Sequence, residues 1–206
     1  MTEKDTYKTI TKASEEVLFK DKNSKFFGYA FPVTSEEAVK VHLEDLKKQH
    51  HSARHWCYAY QIGKSENEYQ FRANDDGEPN NSAGMPIYGQ LQSFDVTNVL
   101  IVVVRYFGGV KLGVGGLISA YKTAAQMALE ASKIVTRTIN QDIQLKFEYK
   151  DMNKVMRVIK EKNLKIKSQT LELDCTIIIS VRLKKSKEVL DAFDSIFGVK
   201  VNVLHD

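Results

Sequence analysis

The segment Val96–Leu117 constrains the fold of this chain more than any other part of the sequence. It begins with a nearly unbroken β-branched run that ends at Arg105, and so long an apolar run is stable only as a strand covered on both faces. A glycine-rich stretch follows, where the backbone can turn sharply or approach a neighbour closely. Its glycines are Gly108, Gly109, Gly113, Gly115 and Gly116. From Leu117 onward the residues favour a helix, so the segment predicts a central strand, a glycine loop and a helix.

This order places free N–H groups and the positive end of a helix dipole beside Arg105 and Lys111, an arrangement suited to a phosphate. The stretch lacks the Gly-Lys-Ser/Thr ending of a P-loop and the glycine spacing of a dinucleotide-binding fold, so both classes are excluded. The alternative interpretation is that the glycines only form a tight turn and let the helix pack against the sheet.

Length and composition indicate a globular protein of one large or two small domains, because 206 residues suffice for either. We expect a cytoplasmic protein with no membrane association, since no apolar stretch approaches a membrane span and the N-terminus is too polar for a signal peptide. Cys57 and Cys175 are therefore expected to be reduced packing residues.

The net charge of +4 lies wholly in the last third of the chain. Residues 137–206 contain 14 Lys or Arg and 10 Asp or Glu, whereas residues 1–136 contain 16 of each. A basic C-terminal region favours an acidic partner such as RNA, although lysine-rich surfaces are commonly only solvated.

Periodicity and turn residues predict an α+β fold with domains at 1–136 and 137–206. The elements predicted in the first domain are strands over Lys8–Phe19 and Lys25–Phe31, a helix capped by Thr34 or Ser35, a hairpin of Arg54–Ile62 with Tyr69–Phe71, a loop over 73–86, and a helix from Pro86 through Gln92. Those predicted in the second are strands over Thr138–Tyr149, Leu164–Leu173, Cys175–Leu183 and Val199–Leu204, with helices over Asp151–Asn163 and from Ser186 through Phe197. The second series reads β-α-β-β-α-β, which is the ferredoxin-like arrangement.

One polar loop offers acid–base or cation-binding chemistry through Asp75, Asp76 and Glu78. The alternative is that its Asp and Asn side chains only bond to their own backbone. His55 shares a strand face with Cys57, yet no nucleophile elbow or catalytic triad can be assigned. A zinc site made with His51 is not expected, because the spacing crosses a helix end and a strand start. The sequence therefore predicts no metal, no cofactor and no catalytic residue.

Four motifs resemble the IMPACT/YigZ family. They are Asn74-Asp-Asp-Gly-Glu-Pro79, Ala83-Gly-Met-Pro86, Thr97-Asn98 and the run from Arg105 to Leu117. The stretches Ser24–Val33 and His51–Cys57 and the C-terminal element order are similar to that family as well. One departure is Asn80-Asn81-Ser82, where the family more often has Ser-Gly-Thr, and the lost glycine bears on the shape of the loop.

The resemblance implies a first domain similar to domain 2 of ribosomal protein S5 and a second similar to the last domain of elongation factor G. It also implies that eukaryotic relatives regulate translation by competing for the activator of a starvation-sensing kinase, through an additional domain that this sequence lacks. A dipeptidase activity ascribed to some bacterial members has no matching ligand set here.

The leading hypothesis is a non-enzymatic protein of translation that binds RNA or ribosomes. Phosphate contacts would come from Arg105, Lys111 and the glycine loop, and from a basic helix face of Lys150, Lys154 and Arg157. One alternative is a binder of phosphate-bearing small molecules, or an enzyme, that uses Asp75, Asp76 and Glu78 with His55 nearby. A second alternative is a protein-interaction module that uses the ferredoxin-like sheet. The sequence specifies no oligomeric state.

Overall fold

The computed structural model describes residues 5–204. These residues form two compact units, one of residues 7–137 and one of residues 138–204 together with Asp5 and Thr6. Both units combine helices with antiparallel sheets, so the protein has a mixed α+β fold. Among residues 5–204, no helix is long and apolar enough to cross a membrane.

The first unit is built around a five-stranded antiparallel sheet. Its elements in chain order are β1 (Thr6–Ile10), β2 (Val17–Asp21), β3 (Ser24–Pro32), α1 (Glu36–Gln49), β4 (His55–Ile62), β5 (Gln70–Asn74), α2 (Gly84–Ser93), β6 (Val99–Tyr106), α3 (Gly113–Glu130) and β7 (Ile134–Thr138). The sheet has the order β2-β3-β6-β4-β5, and β1 pairs separately with β7.

Strand β6 is the central strand that the sequence predicts, and every residue from Val99 to Arg105 is buried. Successive side chains of a strand point to opposite faces, so β6 serves two cores. Val99, Ile101 and Val103 pack with residues of α2 and α3. The intervening side chains Leu100, Val102 and Val104 pack on the face that carries Val39 and Leu46 of α1.

Local sequence signals predicted some ends of helices and strands correctly and others wrongly. The Ser35 side chain accepts a hydrogen bond from the N–H of Ala38 and caps α1, as predicted. The continuous strand predicted over Lys8–Phe19 is wrong: residues 11–16 separate β1 from β2, and the Ser14 side chain instead accepts the N–H of Ala30.

Helix α3 begins four residues earlier than Leu117, at Gly113. The last three glycines of the predicted loop therefore lie in its first turn. Leu112 and Leu117 are both buried in the core, and a helical turn between them satisfies backbone groups that an open loop would leave to solvent.

The second unit has one four-stranded antiparallel sheet with two helices on one face. Its elements are β8 (Asn140–Glu148), α4 (Met152–Glu161), β9 (Lys165–Thr170), β10 (Asp174–Arg182), α5 (Leu183–Asp194) and β11 (Lys200–Leu204), in the sheet order β11-β8-β10-β9. Ser186 does not cap α5, because the helix starts at Leu183 and the Ser186 hydroxyl donates to the Leu183 carbonyl inside the first turn.

Candidate functional site

The acidic loop, residues 75–83, connects β5 to α2 and begins with a helix-capping carboxylate. Asp75 Oδ1 accepts the N–H groups of Ala83 at 2.9 Å and Gly84 at 2.8 Å, and Oδ2 accepts the N–H of Asn81 at 2.8 Å. The N–H groups of Ala83 and Gly84 lie at the start of α2 and have no partner within the helix. A carboxylate at this position also interacts favourably with the helix dipole. Asp75 therefore fixes where α2 begins.

Asp76 ties the acidic loop to the start of β4. Its carboxylate accepts the backbone N–H of Trp56 at 2.7 Å, and its carbonyl lies 2.8 Å from Nδ1 of His55. Because a carbonyl can only accept, Nδ1 of His55 carries the hydrogen in this bond. Asp76 also has a positive φ of 44°, a conformation in which Asp and Asn are enriched among non-glycine residues.

Asn81 explains how the acidic loop keeps its shape without the glycine that the family more often has there. Its φ is 59°, in the left-handed region. Asparagine enters that region more readily than most side chains, because its short polar group bonds locally. Asn81 therefore adopts a backbone conformation that glycine also reaches without strain.

The third carboxylate of the loop is the centre of a buried ionic cluster, which we define as Glu78, Arg105, Tyr121 and His55. Glu78 Oε1 accepts from Nη1 of Arg105 at 2.6 Å and from the Tyr121 hydroxyl at 2.7 Å. Nε2 of His55 lies 3.9 Å from the same oxygen. The sheet register brings the cluster together, since His55 is the direct partner of Arg105 across β4 and β6.

Arg105 binds Glu78 where the sequence suggested an external phosphate. The residue is 5% exposed, and its guanidinium carbon lies 5.4 Å from the ring centroid of Phe26 and 5.5 Å from that of Phe107. Its Nε makes no hydrogen bond to any of residues 5–204. A charge buried this deeply must be paired, and Glu78 is the group that pairs it. An external anion would have to displace this carboxylate.

Cys57 adjoins the cluster, and both Cys57 and the cluster member Tyr121 stay protonated at neutral pH. Burial raises the pKa of the Cys57 thiol far above its usual range, and burial also raises the pKa of Tyr121. The thiolate is the nucleophilic form of cysteine, so this thiol is unreactive.

Residues 5–204 contain no group of three or more His, Cys, Asp or Glu side chains that could hold a metal ion.

The glycine loop, residues 107–112, has at least one glycine with a purely steric role. A Cβ on Gly108 would lie 2.1 Å from the carbonyl carbon of Asn23, and the Gly108 N–H donates to the Ser24 hydroxyl at 3.2 Å. Gly109 adopts a positive φ of 88°. Lys111 is exposed just before the first turn of α3. In this loop the backbone at Gly108 therefore packs closely against Asn23, and Lys111 is a cation that faces solvent.

The three cations predicted on a helix face of the second unit are exposed and each has a carboxylate neighbour. Lys150 lies 2.8 Å from Glu148 and precedes α4 in a short 3-10 turn. Within and beside α4, the pairs are Lys154 with Asp151 at 2.8 Å and Arg157 with Glu161 at 3.8 Å. The pairs of Lys150 and Arg157 are exposed on both sides and contribute little to stability, so a phosphate can compete for these two cations, whereas the Asp151 side chain beside Lys154 is only 6% exposed.

A second group of cations cannot be predicted from local sequence, because it depends on strand pairing. Lys146 of β8 and Lys200 of β11 are direct partners across the sheet, and both are exposed. They lie on the face opposite the buried Leu145 and Phe147, which α4 and α5 cover. Among the described residues, neither lysine forms an ion pair with a carboxylate. Strand alternation alone could place Lys146 on the uncovered face, but its pairing with Lys200 is a long-range property.

Comparisons with known proteins agree with this architecture. The family model of the Impact N-terminal domain matches residues 22–129. The IMPACT family member YvyE of Bacillus subtilis is 35% identical over 79% of this chain and 73% of its own length. The IMPACT family member YigZ of Escherichia coli is 35% identical over 68% of this chain and 69% of its own length. A solved structure described as a hypothetical protein superposes with a TM-score of 0.71, at 26% identity over 98% of each chain.

The class defined by these matches is a two-unit α+β protein with an Impact N-terminal domain in its first unit. The chain belongs to the IMPACT family, which confirms the resemblance found in its motifs.

Proposed function

We propose that this protein acts in translation without enzymatic activity and binds RNA, free or in ribosomes, through the uncovered face of its second sheet. The observation that carries the proposal is the pair Lys146 and Lys200, which are directly opposite each other on that face. Like charges at directly opposite positions destabilise a sheet. A phosphate bound between the two amines would relieve this repulsion.

Two neighbouring pairs of the same face include groups that suit a sugar-phosphate backbone, while Glu148 and its cross-strand partner Asp174 bring carboxylates to the end of that face. The strand register aligns Asn202 with Gln144, and it aligns Lys146 with Thr176. Amide and hydroxyl side chains are common donors to phosphate and sugar oxygens, and such contacts position a nucleic acid without reading its bases. The proposed binding is therefore independent of sequence and sensitive to salt.

Other exposed cations are available for further phosphate contacts, but the proposal does not depend on them. Lys150, Lys154 and Arg157 are exposed beside their carboxylate partners, and Lys111 is exposed beside α3. Arg105 is not part of the proposed surface, because its charge is already compensated by Glu78.

Family membership supports the link to translation, because the resemblance implies that role for eukaryotic relatives. We further propose that the two compact units are domains with a boundary at residues 136–137. In this proposal the first is similar to domain 2 of ribosomal protein S5, and the second is ferredoxin-like and similar to the last domain of elongation factor G. The element order β-α-β-β-α-β and the sheet order β11-β8-β10-β9 support the ferredoxin-like assignment.

The proposal excludes an acid–base reaction at the acidic loop. Asp75 holds the start of α2, Asp76 holds β4, and Glu78 pairs with Arg105. A general acid or base must exchange a proton with a substrate within hydrogen-bonding reach. Carboxylates that are bonded to the protein in this way stabilise the fold and are not free to exchange protons with a substrate.

The test measures binding of a fluorescent single-stranded RNA and co-sedimentation with ribosomes over a range of salt concentrations. The variant is Lys146→Ala with Lys200→Ala, and the matched control is Lys185→Ala with Lys187→Ala, which removes the same charge from α5. Each phosphate contact to a single strand contributes about 0.7 to the slope of log K against log salt, and the variant loses the one phosphate proposed between the two amines, so its slope should fall by about 0.7. Equal slopes for variant and control, or no binding by folded wild type at low salt, would overturn the proposal.

A further inference from the structure

A pocket of about 390 Å³ opens on the first unit, and no member of the buried ionic cluster lines it. We call it the aromatic pocket, and its lining residues are Asn23, Lys25, Phe27, His50, Tyr106 and Phe107. Its volume falls within the range of about 300–1,000 Å³ that is typical of small-molecule sites. Phe27 and Tyr106 belong to the sheet face that α1 covers, whereas α2 and α3 lie on the opposite face. The pocket is therefore lined by residues of the first unit that lie outside the acidic loop.

Aromatic rings form the walls of this pocket. The ring centroid of Phe27 lies 5.2 Å from that of His50 and 5.7 Å from that of Tyr106. Phe107 is 44% exposed, so a flat face of apolar carbon remains open to solvent. The guanidinium carbon of Arg105 lies over that ring, 5.5 Å from its centroid. Exposed rings of this kind stack readily on planar heterocycles.

A chain of hydrogen bonds fixes the polarity of the pocket floor. The Tyr29 hydroxyl donates to Glu16 and thereby uses its single hydrogen. Nε2 of His50, 2.5 Å from the Tyr29 oxygen, must then donate to it. A neutral imidazole that donates from Nε2 accepts at Nδ1, which lies 3.0 Å from the Tyr106 hydroxyl. Burial keeps His50 neutral by lowering its pKa.

The Tyr106 hydroxyl, which ends this chain of hydrogen bonds, faces the ligand as an acceptor. Because Tyr106 donates its hydrogen to His50, its oxygen retains lone pairs for a ligand N–H. Amino and imino groups on the edge of a nucleobase are such donors. The Asn23 side chain, which can both donate and accept, lines the same pocket.

One cation, Lys25, lines the pocket, and a second, Lys20, is its neighbour across the sheet. Lys25 is the direct partner of Tyr106 across β3 and β6, and Lys20 is the direct partner of Lys25 across β2 and β3. Both lysines are exposed, and neither forms an ion pair within residues 5–204. Glu16, the nearest carboxylate of the hydrogen-bond chain, is separated from the pocket by Tyr29 and His50. The rim is therefore suited to an anion.

We propose that the aromatic pocket binds one unstacked nucleobase together with its phosphate. The base lies against Phe107, its N–H edge bonds to the Tyr106 oxygen, and the phosphate is held by Lys25 with Lys20. Two sources share this chemistry, a free nucleotide and an unpaired residue of single-stranded RNA. The proposal rests on residues of the first unit alone and does not depend on the second sheet.

The test titrates the full chain with the four nucleoside 5′-monophosphates, the matching nucleosides and inorganic phosphate by calorimetry, and with labelled RNA hexamers by anisotropy. Nucleotides should bind more tightly than nucleosides or phosphate. Phe107→Ala should weaken binding between about 5-fold and about 150-fold, the measured range for loss of one base–aromatic stack. Tyr106→Phe keeps the ring and should weaken binding by about 2-fold to 10-fold.

Two further variants separate this site from others. Lys25→Ala should reduce the affinity for a nucleotide to that for its nucleoside, while Lys122→Ala on α3 is the charge-matched control and should behave as wild type. Nucleotide binding should survive Lys146→Ala with Lys200→Ala, whatever those changes do to longer RNA. Tighter binding of hexamers than of mononucleotides identifies RNA as the source, and the reverse identifies a free nucleotide. No binding of any nucleotide or hexamer, or binding that Phe107→Ala and Tyr106→Phe leave unchanged, overturns the proposal.

Discussion

Replacing Glu78 by alanine is the sharpest test of the structural role of the acidic loop. The side chains of Glu78 and Arg105 are 5% and 6% exposed and their atoms approach to 2.6 Å. Glu78→Ala would leave the Arg105 charge buried without its carboxylate, and it would also remove the acceptor of the Tyr121 hydroxyl. Breaking a buried ion pair by removal of one partner costs about 3–5 kcal/mol. We therefore expect the first unit to lose at least about 3 kcal/mol of its free energy of unfolding.

The assay follows urea unfolding by the fluorescence of Trp56. It is the single tryptophan of the chain and lies in β4 of the first unit, so the signal reports on that unit even if the two units unfold separately. Glu66→Ala is the matched control, because Glu66 is exposed in a short turn. Surface substitutions of that kind usually change stability by less than about 0.5 kcal/mol.

A double-mutant cycle separates the ion pair from the packing of its members. Arg105→Met keeps an apolar stem between Phe26 and Phe107 and removes the charge. In the double variant no uncompensated charge remains, so the double variant should lose less stability than the two single variants added together, with a coupling of about 0.5–3 kcal/mol. A loss of less than about 1 kcal/mol for Glu78→Ala alone, the range of surface pairs, would refute the buried-pair argument.

The remaining predictions use the same fluorescence assay. Asp75→Ala removes the carboxylate that caps α2 and should cost about 0.5–2 kcal/mol, whereas Asp75→Asn, which retains one carbonyl acceptor, should cost less; equal losses would contradict the capping role. Gly108→Ala brings a Cβ against Asn23 and should cost about 1–3 kcal/mol. Gly89→Ala, within α2 where a Cβ meets nothing within 4 Å, should stabilise by about 0.5–1 kcal/mol, and the same sign for both glycines would contradict the steric argument. Burial lowers the pKa of His50, so the unfolded chain binds more protons and stability should fall as pH drops below about 6.5; His50→Gln should flatten this dependence, and an unchanged slope would contradict it.

Sequence reasoning identified the elements whose signals are local. The apolar run of β6 could be stable only under two covering layers, and Ser35 followed by Glu36 and Glu37 marks a helix start that no distant contact alters. The start of α3 at Gly113 was not predicted, because a glycine-rich sequence by itself favours a loop. The buried Leu112 and Leu117, on either side, hold the turn between them as helix.

The members of the candidate site were identified more readily than their arrangement. Motif reasoning singled out Glu78, Arg105 and His55, but their meeting depends on the register of β4 with β6. A one-residue slip would turn Arg105 to the opposite face of the sheet. Tyr121 was expected only as a helix-face residue, since nothing in its local sequence indicates that its hydroxyl reaches a carboxylate 43 positions away along the chain.

The charges that the protein uses internally and those it leaves free define where a partner can bind. Arg105, the cation that sequence motifs favoured most, is balanced by Glu78 inside the first unit. Lys146 and Lys200 are direct cross-strand partners that form no ion pair within the described residues, and the same holds for Lys20 and Lys25. A fold that tolerates such repulsion at its surface gains stability when an anion binds there, because ligands that bind only the folded state stabilise it. Phosphate-bearing ligands should therefore raise the resistance of each unit to urea separately. Removal of Lys20 and Lys25 should abolish this stabilisation in the first unit only, and removal of Lys146 and Lys200 should abolish it in the second unit only.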